Sequence, residues 1–123
     1  MKISEIAQLL DGVIHTTTLK EDVDIRGAFA GDLMSDVLAS IRPESLLVTG
    51  LNNPQVIRTA LIADTRLVIL ARGKVPSAEM LALADEEKIP IICSPLGIFE
   101  IAGRLNANGI ISFEEALRIG KCD

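Results

Sequence analysis

The polar residues most able to hold a ligand cluster in one short stretch. Thr49, Asn52, Asn53, Gln55 and Arg58 surround Gly50, where the absence of a side chain leaves the backbone open to approach. Three amides, a hydroxyl and a guanidinium in that span suit a phosphate or a carboxylate, with Arg58 as counter-charge. Asp32 and Asp36 form a second pair, four residues apart, the spacing that puts two carboxylates on one helix face. Such a pair could bind a divalent cation or serve as an acid and a base. It also reads simply as a helix cap and a first-turn charge, both favoured by the helix dipole. Ser94 before Pro95 has the same look of a helix start.

Several chemistries have no residues to support them. The pattern G-x-x-x-x-G-K-[ST] is absent, and no G-x-G-x-x-G follows a strand. His15 is the single histidine, so any histidine-based triad would have to be built on it alone. Cys93 lies in the apolar run Pro90-Ile91-Ile92-Cys93 and reads as a core residue. Cys122, near the last residue, reads as solvent-facing. The two cysteines have neither disulfide-framework nor zinc-ligand spacing. No catalytic or metal-ligating residue is assigned, and no cofactor is named.

The candidate groups need a frame, and the apolar pattern supplies it. Residues 3–10 carry Ile3, Ile6, Ala7 and Leu10 at helical spacing, with Ser4 as N-cap and Asp11-Gly12 as the stop. The β-branched run from Val13 to Thr18 predicts a strand, which could be an antiparallel edge, and a charged turn follows over 20–24. One theme then repeats four times. Strands are expected over 25–30, 46–50, 67–71 and 90–93, each followed by a helix, over 32–40, 54–64, 77–88 and 95–107. This alternation predicts an α/β fold, a three-layer α/β/α sandwich with a mostly parallel sheet of about five strands. Strands apolar on both faces fit a sheet covered by helices on both sides. After Asn108-Gly109, the segment from Ile110 to Gly120 predicts a short helix, with Ser112 and Glu115 as a capping box and Phe113 and Leu117 docking on the body.

In such a sheet the helix starts gather at the strands' C-terminal edge, where open α/β sheets bind ligands. Helix N-termini there favour anions. The expected ligand-binding set is therefore Asp32, Thr49, Asn52, Asn53, Arg58 and Ser94.

At Gly31-Asp32-Leu33-Met34-Ser35-Asp36-Val37-Leu38 the chain resembles the DRTGG domain family. The resemblance continues through Leu47 to Ala60, then Arg72-Gly73-Lys74 and Ile91-Ile92-Cys93-Ser94. In the naming pentapeptide, Asp24 is placed at the aspartate and Gly27-Ala28 at the glycine pair; the threonine is missing. The resemblance implies one domain over residues 1–110, like the N-terminal domain of HPr kinase/phosphorylase. Residues 111–123 would then be a short helix and tail packed on it. It does not imply kinase activity, because that enzyme's P-loop belongs to its other domain. Related domains inside phosphotransacetylases and between the CBS domains of some pyrophosphatases look regulatory or assembly-forming.

Composition narrows the partners. The chain has 123 residues, one domain's worth, and a net charge of −5. Acidic charge and few aromatic residues argue against nucleic acid. No apolar run is long enough for a membrane span and no signal-peptide pattern opens the chain, so a cytoplasmic protein is expected. The expected function is a non-catalytic regulatory or interaction module that self-associates and senses a small anionic metabolite or nucleotide. The alternatives are a structural partner of a larger metabolic or redox complex, or a small metal-dependent enzyme using Asp32 and Asp36. Self-association is expected as a homodimer. The helix over 95–107 carries Leu96, Ile98, Phe99, Ile101, Ala102 and Leu105 on more than one face; the sheet can bury only one of them, which leaves the rest to the C-terminal segment around Phe113 and Leu117 or to a second copy.

Overall fold

The computed structural model describes residues 1–15 and 22–115. Its elements run α1 (Ile3–Leu9), β1 (Val13–Ile14), β2 (Gly27–Ala30), α2 (Met34–Ser40), β3 (Leu46–Thr49) and α3 (Pro54–Ile62). They continue with β4 (Leu67–Leu70), α4 (Ala78–Glu87), β5 (Ile91–Cys93), α5 (Ile98–Ala107) and β6 (Ile111–Ser112). The fold is α/β, with a mostly parallel six-stranded sheet in the order β1-β5-β4-β3-β2-β6. Val13 and Ile14 pair antiparallel with Cys93 and Ile92, so β1 is the antiparallel edge strand.

Strand alternation divides the core into two layers. Leu46 and Val48 of β3 and Leu67 and Ile69 of β4 face one way, onto Ile3, Ile6 and Leu10 of α1 and its extension and Ile101 and Leu105 of α5. Leu47, Val68 and Leu70 face the other way, onto Val37 of α2, Val56, Ile57 and Ala60 of α3, and Met80 and Ala84 of α4. The register matches this division, because Leu46 pairs with Leu67 and Leu47 with Val68, so paired side chains share a face. All eight residues of β3 and β4 are buried. Each large apolar side chain in them contributes about 1.5–3 kcal/mol. Strands β2 to β5 advance in one direction across the sheet with α2, α3 and α4 on one face. The chain then returns from β5 past β4, β3 and β2 to β6, and α5 lies on the opposite face. Right-handed crossovers running in opposite directions put their helices on opposite faces.

Three local expectations change. Ser4 is not the cap of α1. Lys2 stands at the cap with its N–H donating to Glu5 Oε1 at 2.9 Å, and Asp22 reaches in from the following loop to accept from Ser4 N at 3.0 Å. The segment expected to start a helix at Ser112 runs as strand β6, paired parallel with Gly27 and Ala28. Ser112 Oγ accepts from Glu114 N at 3.2 Å, not from Glu115, because the sheet holds this backbone extended. The rest of that proposed helix, with Leu117, and Cys122 and the 16–18 end of the first strand lie outside the described residues. A sixth strand therefore occupies the edge that about five strands left open.

Gly27 is used where β6 leaves the sheet. A Cβ there would overlap the ring of Phe113. The ring is further fixed by the Arg42 guanidinium, 5.8 Å from its centroid, and by Arg42 N donating to Phe113 O at 2.9 Å. Gly27→Ala should therefore displace Phe113 and loosen β6, lowering the unfolding free energy by about 1–3 kcal/mol. A denaturant midpoint equal to that of the wild type would show that Phe113 adds nothing at this edge.

Candidate functional site

Parallel strands β2, β3, β4 and β5 end together, and their exit loops form one rim. The loops are tied to one another by backbone bonds. Gly31 N donates to Val48 O (3.0 Å), Ala71 N to Thr49 O (2.9 Å), Arg72 N to Leu96 O (2.8 Å) and Gly73 N to Ser94 O (2.8 Å).

Asp32 is the hinge pin of this rim. It precedes α2 but does not cap it, because the helix begins at Met34 with Leu33 at the cap and no side-chain bond there. Its Oδ1 turns instead toward β3, accepting from Gly50 N at 2.7 Å and from Thr49 Oγ1 at 2.9 Å. Thr49 is fully buried, and its Oγ1 also accepts from Leu51 N at 3.2 Å. The bond from Gly50 N holds the Asp32 carboxyl below its ordinary value of 3.8. Partial burial raises it by less than that bond lowers it, and Thr49 and the nearby charges of Arg72 and Lys74 add to the lowering.

The other residues expected at the site are distributed as follows. Asn52 clamps the β4 exit loop with both ends of its amide: Nδ2 donates to Val75 O at 2.7 Å and Oδ1 accepts from Ser77 N at 2.8 Å. Asn53 caps α3, accepting from Gln55 N at 2.8 Å, with Pro54 in the first helical turn as expected. Ser94 is corrected from helix cap to loop brace. It is fully buried, donates to Leu10 O at 2.7 Å and accepts from Leu96 N at 3.2 Å. Helix α5 starts only at Ile98, after Gly97, which has no Cβ to hold the backbone in helix and no side chain to cap it. Arg58 is exposed on α3, one helical turn beyond Pro54, and forms no hydrogen bond or ion pair among the described residues.

Two cations that sequence reasoning did not place at the site stand at its centre. Lys74 Nζ donates to Gly50 O. Arg72 Nη1 lies 2.6 Å from where a Cβ of Gly50 would be, so the missing side chain at position 50 makes room for the guanidinium. Arg72 holds a left-handed backbone, φ 64°, costly for a residue with a Cβ. The available signal was the run Arg72-Gly73-Lys74 directly after β4. Beside Arg72, a shallow depression is lined by Gly97, Ile98, Phe99, Glu100 and Ala102. A second concavity, of about 260 Å³ beneath α5, has Ala30, Val48, Leu105 and Ile110 in its lining and no lysine or arginine among its described residues.

Cys93 is half-buried and its thiol is pushed up to about 11 by burial, so it stays protonated at neutral pH. Asp36 sits in the first turn of α2, and among the described residues no three His, Cys, Asp or Glu side chains gather as metal ligands. His15 extends β1, its N–H donating to Ile91 O at 2.8 Å.

The chain belongs to the DRTGG domain family, whose model matches residues 5–108. No curated protein matches it. Among solved structures it is similar to the CBS and DRTGG domains of the regulatory region of Clostridium perfringens pyrophosphatase, complexed with the activator diadenosine tetraphosphate. The TM-score is 0.73 at 16% identity, over 84% of this chain and 45% of that one. The likeness is one of fold, and this chain spans less than half of that structure.

Because the Asp32 carboxyl titrates low in the folded chain, its stabilisation is fully present above 3.8 and is lost as the pH falls through the lower folded value. Asp22 and Asp24 also titrate low, held by Ser4 and by the N-terminal ammonium, so the wild-type acid transition mixes all three. Asp32→Asn keeps an acceptor oxygen and removes the charge. The stability difference between wild type and Asp32→Asn should be flat near neutral pH and shrink only below 3.8. A difference that is constant down to the acid transition would show that the carboxylate charge is not what ties Gly50.

Proposed function

We propose that this DRTGG domain is a regulatory, ligand-sensing module that takes a small anionic metabolite or nucleotide on the rim of β3 and β4. The observation that carries this reading is the convergence of Arg72 and Lys74 on Gly50. The Thr49 hydroxyl and the Asn52 amide are already bonded within the rim, which leaves the two cations to meet a charged ligand. A phosphate suits a guanidinium and an ammonium at one place, the first by paired donors and the second as a point charge. Asn52 fixes the loop that carries those cations, Asp32 and Thr49 fix the backbone at Gly50 beneath them, Asn53 caps α3, and Arg58 on α3 is a third cation that a longer ligand could reach. The nucleotide activator of the similar pyrophosphatase region is consistent with a sensing role for this family.

Occupancy would be passed on through self-association, with a second copy on the outer face of α5. Ile101 and Leu105 of that helix point into the core, whereas Ala102 and Gly103 are exposed. Phe113, expected to help cover the helix, packs at Gly27 instead. This face borders Arg72, so an anion at the rim would alter the surface that the second copy meets.

Two measurements test the reading. Titration of inorganic pyrophosphate by calorimetry should show binding that Arg72→Ala weakens about tenfold or more, with the melting temperature unchanged because the side chain is exposed. Equal affinity in the two proteins would place the anion elsewhere. Light scattering after size exclusion should give a dimeric mass, and Gly103→Glu should convert it to a monomer, since a side chain there meets nothing within the fold. A wild-type monomer, or a dimer that survives the substitution, would remove α5 as the contact.

A further inference from the structure

The chain contains three phenylalanines and no tyrosine or tryptophan. Phe29 is 3% exposed in the core and Phe113 is packed on Gly27 beneath Arg42. Phe99 is 91% exposed, the most exposed of the large apolar side chains. It sits in the depression that Arg72 also lines, and Gly97 in the same lining leaves open space where a Cβ would stand. The two sides of that depression are held in place, because Arg72 N donates to Leu96 O at 2.8 Å and Gly73 N to Ser94 O at 2.8 Å. The backbone therefore keeps a cation and an exposed aromatic ring beside one opening, with a second cation, Lys74, toward Gly50.

We infer that the anion taken at this rim is a nucleoside phosphate, with its phosphates on Arg72 and Lys74 and its base against Phe99 and Ile98. This rests on the anion-binding reading of the same rim and adds the part of the ligand that is not charged. A flat heterocycle covers an exposed phenyl ring as no inorganic phosphate or aliphatic carboxylate can, and stacking of this kind tolerates any base. Glu100 lines the same depression and is drawn to Arg104 at 3.2 Å. A carboxylate there accepts from sugar hydroxyls and repels a second phosphate, so the phosphate end is directed toward Lys74. A single exposed ring serves one base, and the net charge of −5 opposes a polynucleotide.

The test compares ATP, inorganic tripolyphosphate and adenosine by calorimetry on the full chain, with wild type, Phe99→Ala and Arg72→Ala. ATP should bind about tenfold or more tighter than tripolyphosphate, although tripolyphosphate carries no less charge. Phe99→Ala should bring ATP down to the level of tripolyphosphate and leave tripolyphosphate unchanged. Arg72→Ala should weaken both. Equal affinities for ATP and tripolyphosphate, both insensitive to Phe99→Ala, would overturn the base site while the anion reading stands. Absence of binding by either would overturn both. Loss of self-association in Phe99→Ala with undiminished preference for ATP would assign the ring to the second copy and overturn the inference. Phe99 is exposed, so the variant should keep the wild-type circular dichroism.

Discussion

Strands β3 and β4 are buried on both faces, and that burial decides where this chain can keep polar groups. Every side chain along Leu46–Thr49 and Leu67–Leu70 is enclosed by helices, so a polar residue within the strands must be bonded internally. Thr49 is the one hydroxyl admitted to these two strands, and it is paired at once with Asp32 and Leu51. Polar chemistry is pushed to the strand ends. Because the strands are parallel and in register, their exits fall on one edge and their polar groups are brought together from distant parts of the sequence.

The edge is organised in two tiers. Asp32, Asn52 and Ser94 bind separate segments of the chain to each other, and Asn53 caps α3. Arg72 and Lys74 meet at Gly50, Arg72 in the room left because position 50 has no side chain and Lys74 on its carbonyl. The left-handed backbone at Arg72 fits this division: the chain tolerates a strained conformation at a residue whose side chain faces outward, with the N–H groups of Arg72 and Gly73 bonded to Leu96 O and Ser94 O to hold it. A rim built from bonded loops does not need to fold around a ligand, so the ordering cost of binding is small.

The layers of the fold were legible because two-sided apolar strands and capped helices are local signals. Asn53-Pro54 announced α3, and Ser77, accepting from Met80 N at 3.1 Å, announced α4. What was not legible depends on contacts across the fold. Ser94 resembles a cap in sequence, yet its hydroxyl is claimed by Leu10, 84 positions away. Asp32 resembles a cap as well, but a buried threonine and a backbone N–H on the neighbouring strand compete for it and win. The Ser112–Glu115 box was outweighed by the ladder bonds that β2 offers. Arg72 and Lys74 carry no periodicity, and their place became clear only when β4 was set between β3 and β5. The edge was therefore readable in advance, while the particular side chains open to solvent on it were not.

The most direct measurement of the account is a chemical-shift map, from ¹H–¹⁵N spectra of the full chain titrated with ATP. Resonances of Gly50, Arg72, Gly73, Lys74 and Phe99 should move together and saturate at one concentration, with those of Glu44, Thr65 and Ile89 at the opposite edge of the sheet unmoved. Perturbations centred on the opposite edge, or none while the ligand is in excess, would contradict it.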